Sequence, residues 1–236
     1  MKNFVLVAVG AVVIGGWMFA VSASEAEDRK GPRGRIFFND GDCDGTKAKV
    51  SGSEARLAWD GSENVTIAVP AKIRWSRGEG TDVVVLGDSE DLERIRLEDG
   101  TLQVCGDNDL ENDIHIVLPG RTFRGVTIAG AGELTMDGVD QPSLNLTIAG
   151  AGEVKANGKS DDLKVTIAGA GDAHLGKLIT KRLDLTIAGA GGAEASPSDD
   201  ADVTIVGAGD VKLLTRPARH DFDVIGAGDI DMPDNT

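Results

Sequence analysis

At 236 residues and 41% hydrophobic content, the chain is long and apolar enough to bury a core, which excludes a wholly disordered protein. Aromatics reach only 4%, with no Tyr, against 32 Gly, so the core must be narrow and lined by Val, Ile, Leu and Ala rather than a bulky globule. With 24 Lys and Arg against 39 Asp and Glu, a net charge of −15, nucleic acid and anionic membrane surfaces are excluded as natural partners.

The first stretch, "MKNFVLVAVGAVVIGGWMFAVSASEAEDRK", has Lys2 as a basic start, an uncharged run from Phe4 to Ala20, and the small-residue pattern Val21-Ser22-Ala23. This is the layout of a secretory signal peptide over residues 1–23, cleaved after Ala23. The alternative is an uncleaved anchor, since a helix from Phe4 to Val21 at about 1.5 Å per residue would span about 27 Å, near the hydrocarbon thickness of a membrane. Either way the folded part is exported, to the periplasm or the cell surface. Residues 24–50 follow as a flexible leader, charged in "SEAEDRKGPRGR" from Ser24 to Arg35.

The chain has two cysteines, Cys43 and Cys105. Export permits a disulfide, and bonding this pair would tie "NDGDCDG" to the strand-like "TLQVC". Neither has a His or a second Cys at ligand spacing, so neither is expected to bind metal or act as a nucleophile.

From 51 to 125 the chain alternates apolar and polar residues in "ARLAW", "ENVTIAVP", "KIRW", "DVVVLGD", "RIRLEDGTLQV" and "DIHIVLPG", with Gly, Asp and Pro at the turns. These are strands, expected to form broader, diverged coils of the structure that follows.

From 126 to 236 one phrase recurs: "VTIAGAG" at Val126 and Val165, "LTIAGAG" at Leu146 and Leu185, "VTIVGAG" at Val203 and "FDVIGAG" at Phe222. Its first glycines, Gly130, Gly150, Gly169, Gly189, Gly207 and Gly226, are spaced 20, 19, 20, 18 and 19 residues apart, the mark of a solenoid with coils of about 19 residues. Period-two alternation places Ile128, Ile148, Ile167, Ile187, Ile205 and Val224 in one internal ladder. A second ladder starts with Leu144, Leu163, Leu183 and Ala201. Outside runs a threonine column, Thr127, Thr147, Thr166, Thr186 and Thr204, at about 4.8 Å per coil. Gly-Ala-Gly makes the corner, supplying left-handed backbone angles and room for corners to stack.

The order "DVVVLGDSEDLERIRLEDGTLQV", "DIHIVLPGRTFRGVTIAGAGEL", then serial "TIAGAGD" units resembles the bacterial putative auto-transporter adhesin, head GIN domain family, from about Ser51 to Asp231. The resemblance implies an all-β, right-handed, parallel β-helix-like solenoid in an exported bacterial protein, and it brings no catalytic residues.

The glycine corners are not nucleotide loops, because no Lys-Ser/Thr follows them and no helix opens there. After each corner stands an acid, Glu133, Glu153, Asp172, Asp210 or Asp229, interrupted by Gly192. Calcium-binding repeats need a facing set of ligands, and one half-motif per coil leaves that set missing, so a solvated acidic edge is expected and no cofactor or metal site is assigned. His115, His174 and His220 share no ligand spacing.

The expected function is that of a non-enzymatic envelope or surface protein that binds a protein or glycan through the repeated outer threonines. It has no nucleic-acid partner, and meets a membrane only through the N-terminal segment if that is uncleaved. One alternative is self-assembly by end-to-end stacking of coils, against which Pro233 and the polar "PDNT" tail suggest a capped end. The other is a carbohydrate-active enzyme, which would need a cleft with two carboxylates in unlike surroundings.

Overall fold

The structure is a computed structural model that describes residues 12–14, 17–19, 45–78, 80–106, 110 and 113–234. The chain divides into two compact units, 1–38 and 39–236. In the first, β1 (Val12–Ile14) and β2 (Trp17–Phe19) pair antiparallel. The cleavage site at Ala23 and leader residues 24–44 lie outside the described residues. Among the described residues no helix is long and apolar enough to cross a membrane.

The second unit opens with β3 (Thr46–Lys47), β4 (Lys49–Ser51), β5 (Glu54–Ala58), β6 (Asn64–Ala68), β7 (Ala71–Ser76) and β8 (Asp82–Leu86). A short helix, α1 (Ser89–Glu93), then precedes β9 (Ile95–Glu98), β10 (Thr101–Val104) and β11 (Ile114–Val117). The helix begins where the Asp88 side chain accepts a hydrogen bond from the Glu90 amide, with acidic Glu90 and Asp91 in the first turn. Structured strands at 46–50 place the start of the fold inside the segment read as a leader.

The regular stack follows as β12 (Gly125–Gly130), β13 (Glu133–Gly150), β14 (Glu153–Gly169), β15 (Asp172–Gly189), β16 (Gly192–Gly207), β17 (Asp210–Leu213), β18 (Arg219–Gly226) and β19 (Asp229–Asp231). Successive strands run parallel with like over like: Thr127 on Thr147, Thr147 on Thr166, Thr166 on Thr186, Thr186 on Thr204. The all-β solenoid expected from the repeat is therefore the fold. Ile128, Ile148, Ile167, Ile187 and Ile205 are all fully buried, and Leu144, Leu163, Leu183 and Ala201 join them in the core. Val224, the last rung, is 42% exposed, because no further coil covers it among the described residues.

The two glycines of each corner do different work. Gly189 has φ +140°, and a Cβ there would stand 2.1 Å from the Gly169 carbonyl oxygen of the coil below. Gly191 is limited by close approach alone, since its Cβ would lie 2.3 Å from the Gly171 carbonyl oxygen and 2.8 Å from Ile167 Cγ2. The corner thus locks onto the isoleucine ladder one coil down.

At the opposite corner the bend leaves carbonyls that cannot join the ladder, and buried polar side chains satisfy them. Gln141 donates to the Phe123 and Ser143 carbonyls at 2.8 and 2.6 Å. One coil on, Ser160 donates to the Asp162 carbonyl at 2.9 Å, and Thr180 to that of Arg182 at 2.9 Å. Differences in coil length are absorbed here too, as register shifts between Met136 and Val139, Lys155 and Asn157, and Leu175 and Ile179.

The segment 51–125 departs from the expectation of a simple continuation. Its β6 and β7 are a true coil: Val65, Thr66 and Ile67 stack on Val126, Thr127 and Ile128, and Ile73 and Trp75 on Leu134 and Met136. Val69-Pro70 stands at this coil's corner in place of Gly-Ala-Gly. Strands β10 and β11 form a second parallel layer on the far side of β6 and β7, so chain order and spatial order differ. The remaining strands pair antiparallel: β9 with β10, β3 with β9, β8 with β11, β5 with β8 and β4 with β5. Two-residue turns join β4 to β5 and β9 to β10 and make those pairs antiparallel, since parallel neighbours need a long crossover, whereas β3–β9, β5–β8 and β8–β11 join strands distant in the chain. Between β9 and β10 only Asp99 and Gly100 intervene, at φ +45° and +75°, the angles of a tight hairpin.

Cys105 is disulfide-bonded, and Cys43, the only other cysteine in the sequence, lies outside the described residues. We propose that these two are the bonded pair. Thiol titration of the denatured, unreduced protein is then expected to find no free thiol and, after reduction, two; two free thiols before reduction would contradict the pairing.

Candidate binding face

The threonine column is longer than the repeat alone reveals. Thr101 of β10 stacks on Thr66 of β6, and Thr66 on Thr127, so the predicted column Thr127, Thr147, Thr166, Thr186 and Thr204 gains two members at its start. All seven are half-buried. Six steps of about 4.8 Å make a straight array about 29 Å long. The signal for the extra members was the pair of threonines in "NVTIA" and "GTLQV", whose flanks lack the Gly-Ala-Gly corner that marks the other coils.

Beside the threonines runs a column of small residues, Ala129, Ala149, Ala168 and Ala188, which becomes Val206 and Ile225 toward the C-terminal end. On the other side run Asn145, Lys164, Asp184, Asp202 and Asp221. A shallow open depression of about 630 Å³ follows this edge, lined by Lys164, Arg182, Asp184, Asp202 and Arg219 among others. Its charges are partly tied to each other: Lys164 to Asp184, Arg182 to Asp162, and Arg219 to Asp200 at 2.8 Å. The Asp162 carboxylate hydrogen-bonded to Arg182, and the Asp200 carboxylate hydrogen-bonded to Arg219, raise both guanidinium groups above their ordinary value. The face therefore offers a row of hydroxyls between a methyl strip and a partly self-neutralised charged rim.

The acidic column lies on a different run of the coil and is less free than a solvated edge. Lys155 reaches Glu133 at 3.0 Å and Glu153 at 2.8 Å, and these hydrogen bonds, that to Glu153 first, hold its ammonium above the usual lysine range. His174 Nε2 stands 3.0 Å from Glu153, and Asp172 accepts from the Gly192 amide at 2.9 Å. That last bond gives Gly192, the interruption in the column, a role, because the amide replaces an acid as neighbour. Among the described residues no group of three or more His, Cys, Asp or Glu is placed to hold a metal ion. His115, His174 and His220 stand on β11, β15 and β18.

A profile of the family described as putative auto-transporter adhesin, head GIN domain, matches residues 62–217, from the turn before β6 to the segment after β17. The chain belongs to this family. Two solved structures show the same fold. A putative adhesin from Bacteroides fragilis superposes with a TM-score of 0.61 at 16% identity, covering 76% of this chain and 96% of the other. A putative lipid binding protein from Parabacteroides distasonis superposes with a TM-score of 0.50 at 13% identity, covering 81% of this chain and all of the other. No curated protein matches the sequence. The head GIN match begins just before Asn64 and so takes in the β6–β7 coil that lacks the glycine corner.

Proposed function

We propose that this head GIN protein is a non-enzymatic, exported binding module of a bacterial cell envelope, and that it holds a surface protein or glycan against its threonine column. The observation that supports this reading most is the unbroken register of seven half-buried threonines from Thr101 to Thr204. A core needs nothing of the kind on its outer side, where any β-former would serve. Hydroxyls at a fixed repeat both donate and accept, and the neighbouring alanine methyls let a flat partner approach closely. Binding energy then accumulates from many weak, equivalent contacts rather than from one pocket. Such a surface suits a repetitive or extended ligand, and its equivalent positions do not separate two carboxylates into acid and base.

Capture of separated envelope fractions, polysaccharides and secreted proteins by residues 24–236 tests the reading. Changing Thr147, Thr166 and Thr186 to Lys is expected to abolish saturable capture, at least about tenfold, while the melting temperature stays within a few degrees because these side chains point outward. Undiminished capture by a folded triple variant would count against the threonine face.

A further inference from the structure

The regular coils complement one another's charge as they stack. Arg182 pairs with Asp162 one coil earlier, Lys164 with Asp184 one coil later, Lys181 with Asp161, Lys155 with Glu133, and Arg219 with Asp200. Toward the C-terminal end this pairing thins out: Asp184, Asp202 and Asp221 stack in one column and Asp210 and Asp229 in another, with no cation between them. Asp221 and Asp223 of β18, and Asp229 and Asp231 of β19, have no ion-pair partner among the described residues.

The same end is open in its backbone and its core. Among the described residues β18 pairs only with β16, and β19 only with β17, and none pairs with the far side of either strand. Apolar side chains that would be internal in any other coil are left uncovered: Val224 is 42% exposed, and Phe222 and Ile230 are half-buried. Outside them Ile225 is 62% exposed. The capped end suggested by Pro233 and the polar tail is not what the described residues form. The opposite end is blunted, with edge strands of two and three residues, β3 and β4, carrying exposed Lys47 and Lys49, and with α1 packed against β4 and β5.

We propose that the C-terminal coil is a docking edge that takes an extended segment of a partner protein as a further strand beside β18, one in which Lys or Arg alternates with Val, Ile or Leu. The apolar residues of that segment would cover Phe222 and Val224, and its cations would face Asp221 and Asp223, continuing the pairing seen coil to coil. A second copy of this chain fits less well. Two β18 edges set antiparallel bring Asp opposite Asp, and the blunted end offers no strand long enough to match the eight residues of β18.

The probe is a short fluorescent peptide alternating Lys and Val, compared with one alternating Glu and Val and with a Lys-Val peptide carrying a central Pro. The Lys-Val peptide is expected to bind saturably to the intact protein, about tenfold more tightly than either control, and to slow amide exchange within Arg219–Gly226. Asp221→Lys with Asp223→Lys is expected to reverse the preference toward the Glu-Val peptide. Equal binding of the Pro peptide, or protection elsewhere, would overturn the proposal by showing mere charge attraction. Slowed exchange in β18 of the protein alone, with a dimer in sedimentation, would overturn it in favour of a second copy.

Discussion

Replacing Gly189 with alanine is expected to cost more than about 3 kcal/mol of unfolding free energy, whereas the same change at Gly130, at the same place in the repeat, costs about 1–2 kcal/mol. Both residues have positive φ, +140° and +113°, so both substitutions carry a conformational cost. Only at Gly189 does the new Cβ meet the backbone, 2.1 Å from the Gly169 carbonyl oxygen; at Gly130 nothing lies within 4 Å. The difference arises from the coil beneath. Gly169 presents an identical glycine corner directly under Gly189, but under Gly130 the corner is Val69-Pro70, and its carbonyls are not stacked in the same line. Urea unfolding of the two variants reads the contrast directly. Equal losses would mean that the corners do not stack as described.

The second large effect is expected at Trp75. This side chain is 2% exposed, stacks on Met136 of the first regular coil, and donates its indole N–H to the Arg121 carbonyl at 2.9 Å. Trp75→Ala removes the ring and leaves that carbonyl unpaired, for a loss of about 3–5 kcal/mol. Trp75→Phe, which keeps most of the volume and loses only the hydrogen bond, is expected to lose about 1–2 kcal/mol. If both variants unfold like the parent, β6 and β7 are not integral to the stack.

The regular half of this fold was readable because its constraint is local and repeated. A glycine that must adopt positive φ and an isoleucine that must face inward recur in each coil, so Gly130 to Gly226 and Ile128 to Ile205 declare the architecture residue by residue. The β6–β7 coil was harder to see. Its corner is Val69-Pro70, and the stacking partners of Val65 and Trp75 lie some sixty residues further on, a separation that no local pattern records. Of the antiparallel pairs around it, β4–β5 and β9–β10 follow from two-residue turns, but β3–β9, β5–β8 and β8–β11 join strands far apart in the chain, which no local pattern records. At the last coil the pattern placed Val224 inside, correctly for its direction, yet burial requires a covering neighbour, and periodicity says nothing of where a stack stops.

The candidate face divides in the same way. Thr127 to Thr204 were legible as a column from the repeat, while Thr66 and Thr101 join it only through long-range pairing. The acidic column was legible as a row of charges, but its neutralisation by Lys155 and by the Gly192 amide depends on side chains from adjacent coils.

The central claim is that the threonine face is the surface that engages a partner. Site-specific photo-crosslinking tests it most directly, with a photoreactive residue placed at Thr166 on that face or at Lys155 on the acidic run, and the protein exposed to the envelope fraction that it captures. Crosslinks formed from position 166 and not from 155 are the predicted result; crosslinks from 155 alone, or from both equally, would contradict the account.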